Sequence, residues 1–260
     1  MDNFGNRLDI VWENLAFFLN QLRLLPTSEA LNLSPSGGAF CLSTRSAFAS
    51  ENWVFCPEGP ASADSARAAL DFFGGRGLPF VWPLRDATPE ALDLLRRAGL
   101  REAGRLLAMS LEVSEGGESS GLSFHCVNSR EDALRWADLA WQGFDGEAPA
   151  PDNFRELADA MRDLPAVRLV TASDGGQDLG TFLLAIANRA AGVYYFAVPP
   201  THRRRGVAMA MMREILRMAR EAGAGRVVLQ ATPAGVPFYR AAGFETHGEI
   251  PLFSTSDDVF

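Results

Sequence analysis

Val193-Tyr-Tyr-Phe-Ala-Val-Pro-Pro-Thr-His-Arg-Arg-Arg-Gly-Val-Ala208 is the stretch on which the fold turns. An apolar strand runs into Pro199-Pro200, and because proline cannot donate to a sheet ladder the strand must end near Val198. From Gly206 onward Val207, Met211, Ile215 and Met218 recur at helical spacing, so a helix is expected from about Arg204. The first turn of such a helix leaves N–H groups without internal partners and carries the positive end of the helix dipole. Gly206 and Ala208 let a ligand approach that main chain closely, while Arg203, Arg204 and Arg205 add charged donors. A turn of this kind is expected to hold an anion, and a pyrophosphate suits it.

Arg203-x-x-Gly206-x-Ala208 behind a strand resembles the (Gln/Arg)-x-x-Gly-x-(Gly/Ala) signature of the GNAT superfamily of acyl-CoA N-acyltransferases. Downstream, the strand-like run Arg226-Val-Val-Leu-Gln-Ala-Thr232 leads into Phe238-Tyr-Arg-Ala-Ala-Gly-Phe244. That second segment is similar at every fixed position to the family's (Phe/Leu)-Tyr-x-x-x-Gly-Phe, with Gly243 expected as the helix C-cap. The likeness covers roughly Leu122 to Phe253. It implies an α/β protein with a mixed (α+β) sheet, the GNAT fold, and an acyl-CoA wedged where two central strands splay apart. The donor would be acetyl-CoA or another acyl-CoA, attacked directly by a primary amine, with no metal.

On the same resemblance, the main chain at Phe196, Ala197 and Val198 would meet the pantetheine and thioester. Arg203, Arg204, Arg205, Gly206, Val207 and Ala208 would hold the phosphates. Tyr239 stands at the family's tyrosine position, and a phenol with a pKa near ~10 can protonate a departing thiolate whose own value is near ~8.5. A tyrosine that only packs on the cofactor is the other reading. The proton acceptor stays open, because Val193 to Val198 carries no Glu or Asp where many relatives have one. His247, Glu245 and His125 are candidates, as is a water chain. Tyr194 and Tyr195, adjacent on a strand, are expected to point to opposite faces.

Composition bounds the rest. With 260 residues, 47% hydrophobic and 22% charged, the chain reads as a soluble globular protein of one large or two ordinary domains. A net charge of −8 argues against nucleic acid as a partner and suits a cationic small-molecule or peptide amine. All 24 basic residues are Arg, which removes a P-loop lysine, a Schiff base and self-acylation at lysine. Cys41, Cys56 and Cys126 lie in apolar runs without metal-ligand spacing and are expected as reduced core residues. Neither a signal peptide nor a membrane span is expected, and the protein is read as cytoplasmic, a monomer or a homodimer.

Residues 8 to 25 place Leu8, Val11, Trp12, Leu15, Phe18, Leu19 and Leu22 on one face of a docking helix. Ala87-Thr-Pro-Glu-Ala-Leu-Asp-Leu-Leu-Arg-Arg-Ala-Gly-Leu100 aligns without a gap with Ala231-Thr-Pro-Ala-Gly-Val-Pro-Phe-Tyr-Arg-Ala-Ala-Gly-Phe244, which suggests an internal duplication. The first copy is degenerate: Leu95 replaces Tyr239, and Pro57-Glu-Gly-Pro-Ala-Ser follows its strand in place of the arginine loop. Ser114-Glu-Gly-Gly-Glu-Ser-Ser-Gly121 has linker composition. The expected organisation is therefore tandem: a degenerate GNAT-like or structural domain at 1–115, a linker at 116–121 and the GNAT domain at 122–260. The function so implied is acyl-CoA-dependent N-acyl transfer, the alternative being an acyl-CoA-binding or regulatory module without turnover.

Overall fold

Each periodic apolar run becomes an element in the computed structural model, which describes residues 7–57, 62–114, 121–257 and 259. The first half holds α1 (Arg7–Leu22), β1 (Glu29–Asn32), β2 (Phe40–Ser43), β3 (Trp53–Phe55), α2 (Ala63–Gly74), β4 (Trp82–Pro83), α3 (Pro89–Arg97) and β5 (Arg101–Glu112). The second holds β6 (Ser123–Cys126), α4 (Arg130–Gly143), α5 (Asp152–Met161), β7 (Val167–Asp174), β8 (Gln177–Ala187), β9 (Ala190–Ala197), α6 (Val207–Glu221), β10 (Arg226–Ala231), α7 (Val236–Ala241) and β11 (Glu245–Ser254). This second order, strand, two helices, three strands, helix, strand, helix, strand, is the one the resemblance implies.

Local chemistry sets most boundaries. Ser129 caps α4 by accepting from the Asp132 N–H at 3.1 Å. Gly243, at φ +97°, turns the chain out of α7 into β11. One boundary differs from expectation. α6 begins at Val207, not near Arg204, because Gly206 turns left-handed and a 3-10 turn, Pro200–His202, takes up the preceding residues. β4 is short, and Val81 beside it bridges in parallel to Trp53. Cys126 is exposed on β6 and so is not a core residue; Cys41 is buried, and all three cysteines are free.

Eight strands form one mixed sheet in the order β4-β11-β5-β10-β9-β8-β7-β6, beside a three-stranded antiparallel sheet of β1, β2 and β3. The expected linker at 116–121 lies, but for Gly121, outside the described residues. On either side of it the halves share strands. β5 of the first half lies between β10 and β11 of the second, and β11 lies between β5 and β4. Arg101 stands opposite Ser254 and Ser110 opposite Glu245. In the alignment that matches Ala87 with Ala231, Arg101 corresponds to Glu245 and Ser110 to Ser254. The register is therefore that of a two-fold axis between β5 and β11, the geometry an internal repeat produces when two copies exchange equivalent strands.

Helices cover both faces. α1, α4 and α5 pack on one, with Val11, Trp12, Leu15, Phe18, Leu19 and Leu22 of α1 buried as its periodicity requires. α6 and α7 pack on the other, through Val207, Met211, Ile215 and Val236. α1 comes closest to the sheet at Gly192, where a Cβ would lie 1.7 Å from Asn14 Oδ1. Asn14 is itself fixed, its Nδ2 donating to the Ala185 carbonyl at 3.1 Å. A helix from the first half is thereby seated over the central strands of the second.

Candidate active site

β9 and β10 pair in parallel only over Ala190 with Arg226, Ala191 with Val227 and Gly192 with Val228. Beyond these, β9 runs on to Ala197 and β10 to Ala231 without pairing, so the sheet opens into a wedge. β9 holds β8 on its other edge, with Ala197 opposite Thr181. Its main chain on the wedge side, from Val193 to Val198, is left without a strand partner.

Within this stretch β9 carries a bulge. The register shifts between Thr181 and Leu183, which pair with Ala197 and Tyr194, so Tyr195 and Phe196 together oppose one residue of β8. Tyr195 adopts φ +47°, and the alternation of faces breaks there. As a result Tyr194 and Tyr195 both face α1, α4 and α5, which corrects the expectation of opposite faces; Phe196 faces α7. The Tyr194 ring stacks on Phe18 at 4.0 Å, and its hydroxyl donates to Asn14 Oδ1 at 2.9 Å. Tyr195 lies against Trp136 (5.7 Å) and Phe154 (5.6 Å), and its hydroxyl donates to Glu51 Oε2 at 2.9 Å.

Glu51 comes from the first half, at the end of a 3-10 turn, Ala49–Glu51. It is half-buried and in no ion pair among the described residues. Burial pushes its carboxyl up to about 7, with the Tyr195 hydrogen bond pulling the other way. The turn is held by Asn52, fully buried, whose Nδ2 donates to the carbonyls of Ser46 (2.8 Å) and Pro79 (2.9 Å) while its Oδ1 accepts from the Thr44 N–H (3.1 Å). Thr44 Oγ1 in turn donates to the Glu51 carbonyl at 3.1 Å. Nothing local in the sequence singles out Glu51; the available signal was the missing carboxylate on β9, which left a role for some other acid.

At the mouth of the wedge, Gly206 is the N-cap of α6 at φ +81°, with no side chain to bond the first-turn N–H groups. A built Cβ there meets nothing within 4 Å, so it is the backbone angle that calls for glycine. Arg203 is engaged with the protein itself: Nε donates to the Val198 carbonyl (2.9 Å), and Nη2 to the Gly143 carbonyl (2.9 Å) and Asp145 Oδ1 (3.0 Å). It ties the end of β9 to the end of α4. Arg204 and Arg205 are exposed, and Arg205 makes only a long contact, 3.4 Å, with His202 Nδ1. An unpaired strand edge, uncapped helix N–H groups and two exposed guanidiniums fit a ligand with an amide-bearing arm and a pyrophosphate.

Tyr239 closes the opposite face of the wedge. Its ring lies among Phe238 (5.2 Å), Phe244 (5.5 Å) and Phe196 (6.0 Å). Burial raises its phenol well above the ordinary value, which keeps it protonated at neutral pH. The chain has three tyrosines, and all three border the parted strands. The other candidates are committed elsewhere. His247 Nε2 bonds the Ser110 hydroxyl at 2.7 Å, Glu245 pairs with Arg7, and His125 is exposed on the edge strand β6. Among the described residues no cluster of acids, histidines and cysteines is placed to hold a metal, and no helix is long and apolar enough to cross a membrane.

A mixed sheet split at its centre, with a helix N-terminus at the opening, has the architecture of the GNAT fold. Residues 131–244 match the model of the acetyltransferase (GNAT) family. Solved structures resemble the chain over nearly its whole length. A GCN5-related N-acetyltransferase from Kribbella flavida aligns at TM-score 0.66 and 16% identity, covering 94% of this chain and 95% of that one. A GCN5-related N-acetyltransferase from Sphaerobacter thermophilus aligns at 0.59 and 15%, covering 88% and 81%. A tandem GNAT protein from the clavulanic acid biosynthesis pathway aligns at 0.61 and 11%, covering 95% and 94%. At such identities the likeness is one of fold. No curated protein sequence matches the chain.

Proposed function

We propose that the protein is an acyl-CoA-dependent N-acyltransferase, with acetyl-CoA as donor and a primary amine of a small molecule or peptide as acceptor. The observation that carries this reading is the wedge: strands that part after three residue pairs, with the uncapped start of α6 at its mouth. When bound, the donor supplies a thioester that an amine can attack directly, with no covalent enzyme species. The free edge of β9 at Phe196, Ala197 and Val198 orients the pantetheine arm. The N–H groups of Val207 and Ala208, with Arg204 and Arg205, hold the phosphates; Arg203 shapes their loop through Val198 and Asp145. Tyr239, beside Phe196 on the wedge, gives its proton to the departing thiolate. The free cysteines suit a reducing, cytoplasmic setting.

Thiol release from acetyl-CoA, followed with a set of primary amines, tests the reading. Amine-dependent release with stoichiometric amide is the expected result. Binding of acetyl-CoA with no thiol released at any amine tried would leave a protein that binds acyl-CoA without transferring it.

A further inference from the structure

If an amine attacks the thioester, its nitrogen must lose protons, and β9 offers no carboxylate to take them. Glu51 reaches the same place from the other half of the chain. Its Oε2 accepts from the Tyr195 hydroxyl at 2.9 Å, and no partner of its other oxygen is found among the described residues. Tyr195 lies in the bulge of β9, one residue before Phe196, and the Phe196 ring is 6.0 Å from that of Tyr239. A carboxylate and a phenol thus approach one bulge from opposite faces of the sheet, the arrangement a direct transfer needs: one group beside the entering nitrogen, the other beside the departing sulfur. Asp159 is paired with Arg130 and Arg162, whereas Glu51 forms no ion pair among the described residues.

On the N-acyltransfer reading above, we propose that Glu51, supplied by the first half, is the proton acceptor for the amine at the second half's site. The carboxylate takes the proton that the ammonium loses before its nitrogen can bond to the thioester carbon. As the C–N bond forms and the C–S bond breaks, the thiolate takes the Tyr239 proton. The nitrogen's second surplus proton restores Tyr239 through solvent, and Glu51 releases its own to bulk, so one proton is set free per turnover. The Asn52 network fixes the turn that carries Glu51, and Phe48, 49% exposed at the start of that turn, leads from it to the surface. The charged and titratable surroundings are simple. Tyr195 is the group facing Glu51 from β9; α4 and α5 contribute the rings of Trp136 and Phe154, and their Asp138 and Arg155 pair with one another at 3.2 Å. On its own segment, Arg45 pairs with Glu29.

The test is the pH profile of kcat/KM for thiol release from acetyl-CoA, with butylamine, benzylamine and an alanyl dipeptide as probe amines. A base works ionised, so the parent rate should rise with pH through about 7, the value to which burial raises Glu51. Glu51→Gln should lose 10²–10³-fold in kcat/KM and lose that rise, while binding acetyl-CoA as the parent does. Glu51→Asp should recover part of the rate. Tyr195→Phe removes a donor that favours the ionised carboxylate, so its profile should keep the rise but shift it to higher pH. A merely structural Glu51 would lower the rate without altering the profile's shape. If the parent turns over and Glu51→Gln retains both rate and rise, Glu51 is not the base, and the transferase reading stands. If the parent turns over none of the three amines, the reading itself fails and the inference with it.

Discussion

Two helices that each follow a strand, α2 in the first half and α6 in the second, begin in opposite ways. α2 is closed: Ser62 Oγ accepts from the Ser65 N–H at 3.0 Å, and Asp64 sits in its first turn. α6 is open, with an N-cap glycine that offers no side chain and no acid in its first turn. One helix answers its terminal donors and its dipole from its own chain; the other leaves both for an anion from outside. The contrast recurs in the two segments that align, where Leu95 is fully buried core at the place that Tyr239 holds beside the wedge. The first half also lends elements to the surroundings of the wedge: α1 over the sheet, β5 within it, and Glu51 against β9.

The largest effect should separate the two aligned positions, Tyr239 and Leu95. Tyr239→Phe is expected to slow turnover by roughly 10²–10³-fold with acetyl-CoA binding unchanged. Leu95→Ala should instead cost about 2–5 kcal/mol of stability and leave the folded protein's kcat intact. Rapid-mixing kinetics with denaturant melts distinguishes them, and a Tyr239→Phe protein as fast as the parent would remove the proton-donor role.

Next comes the seat of α1. A Cβ at residue 192 would meet Asn14 Oδ1, which is held in place by Tyr194 and is not free to swing away. Gly192→Ala should therefore destabilise by about 1–3 kcal/mol and loosen both tyrosines, read as a lower urea midpoint and new tyrosine fluorescence.

Glu51 gives a pH-dependent effect of order 2 kcal/mol. Its folded-state value near 7 lies above the unfolded one, so its contribution to stability is fully present below the unfolded value and is lost as pH rises through about 7. Glu51→Gln should accordingly melt higher than the parent at pH 8, with the difference closing toward pH 4. The smallest effect is at the closed helix, where Ser62→Ala should cost about 1 kcal/mol and leave acetyl-CoA binding unchanged.

What was legible in the sequence was what is local. The proline stop near Val198, the Gly243 cap and the Phe-Tyr-x-x-x-Gly-Phe segment each carry their reason within a few residues, whereas the left-handed turn at Gly206 moved the start of α6 from the expected Arg204 to Val207. Contacts across the chain were not legible. Glu51 meets Tyr195 from 144 positions away, a contact that no local pattern foretells. A two-residue period could not foresee that Tyr194 and Tyr195 share a face, because one left-handed residue in a bulge cancels the alternation. Arg203 read as a phosphate donor from its neighbours, yet its hydrogen bonds run to Gly143 and Asp145, on an element that spacing alone could not bring near.

The most direct measurement is calorimetric titration of acetyl-CoA into the parent, Gly206→Glu and Ser62→Ala. A carboxylate at 206 would put negative charge at the open end of α6 and force a side chain into a left-handed position. One-site binding to the parent and to Ser62→Ala, lost in Gly206→Glu, is the predicted result. Binding that survives Gly206→Glu, or a parent that binds none, would contradict an acyl-CoA held at the start of α6.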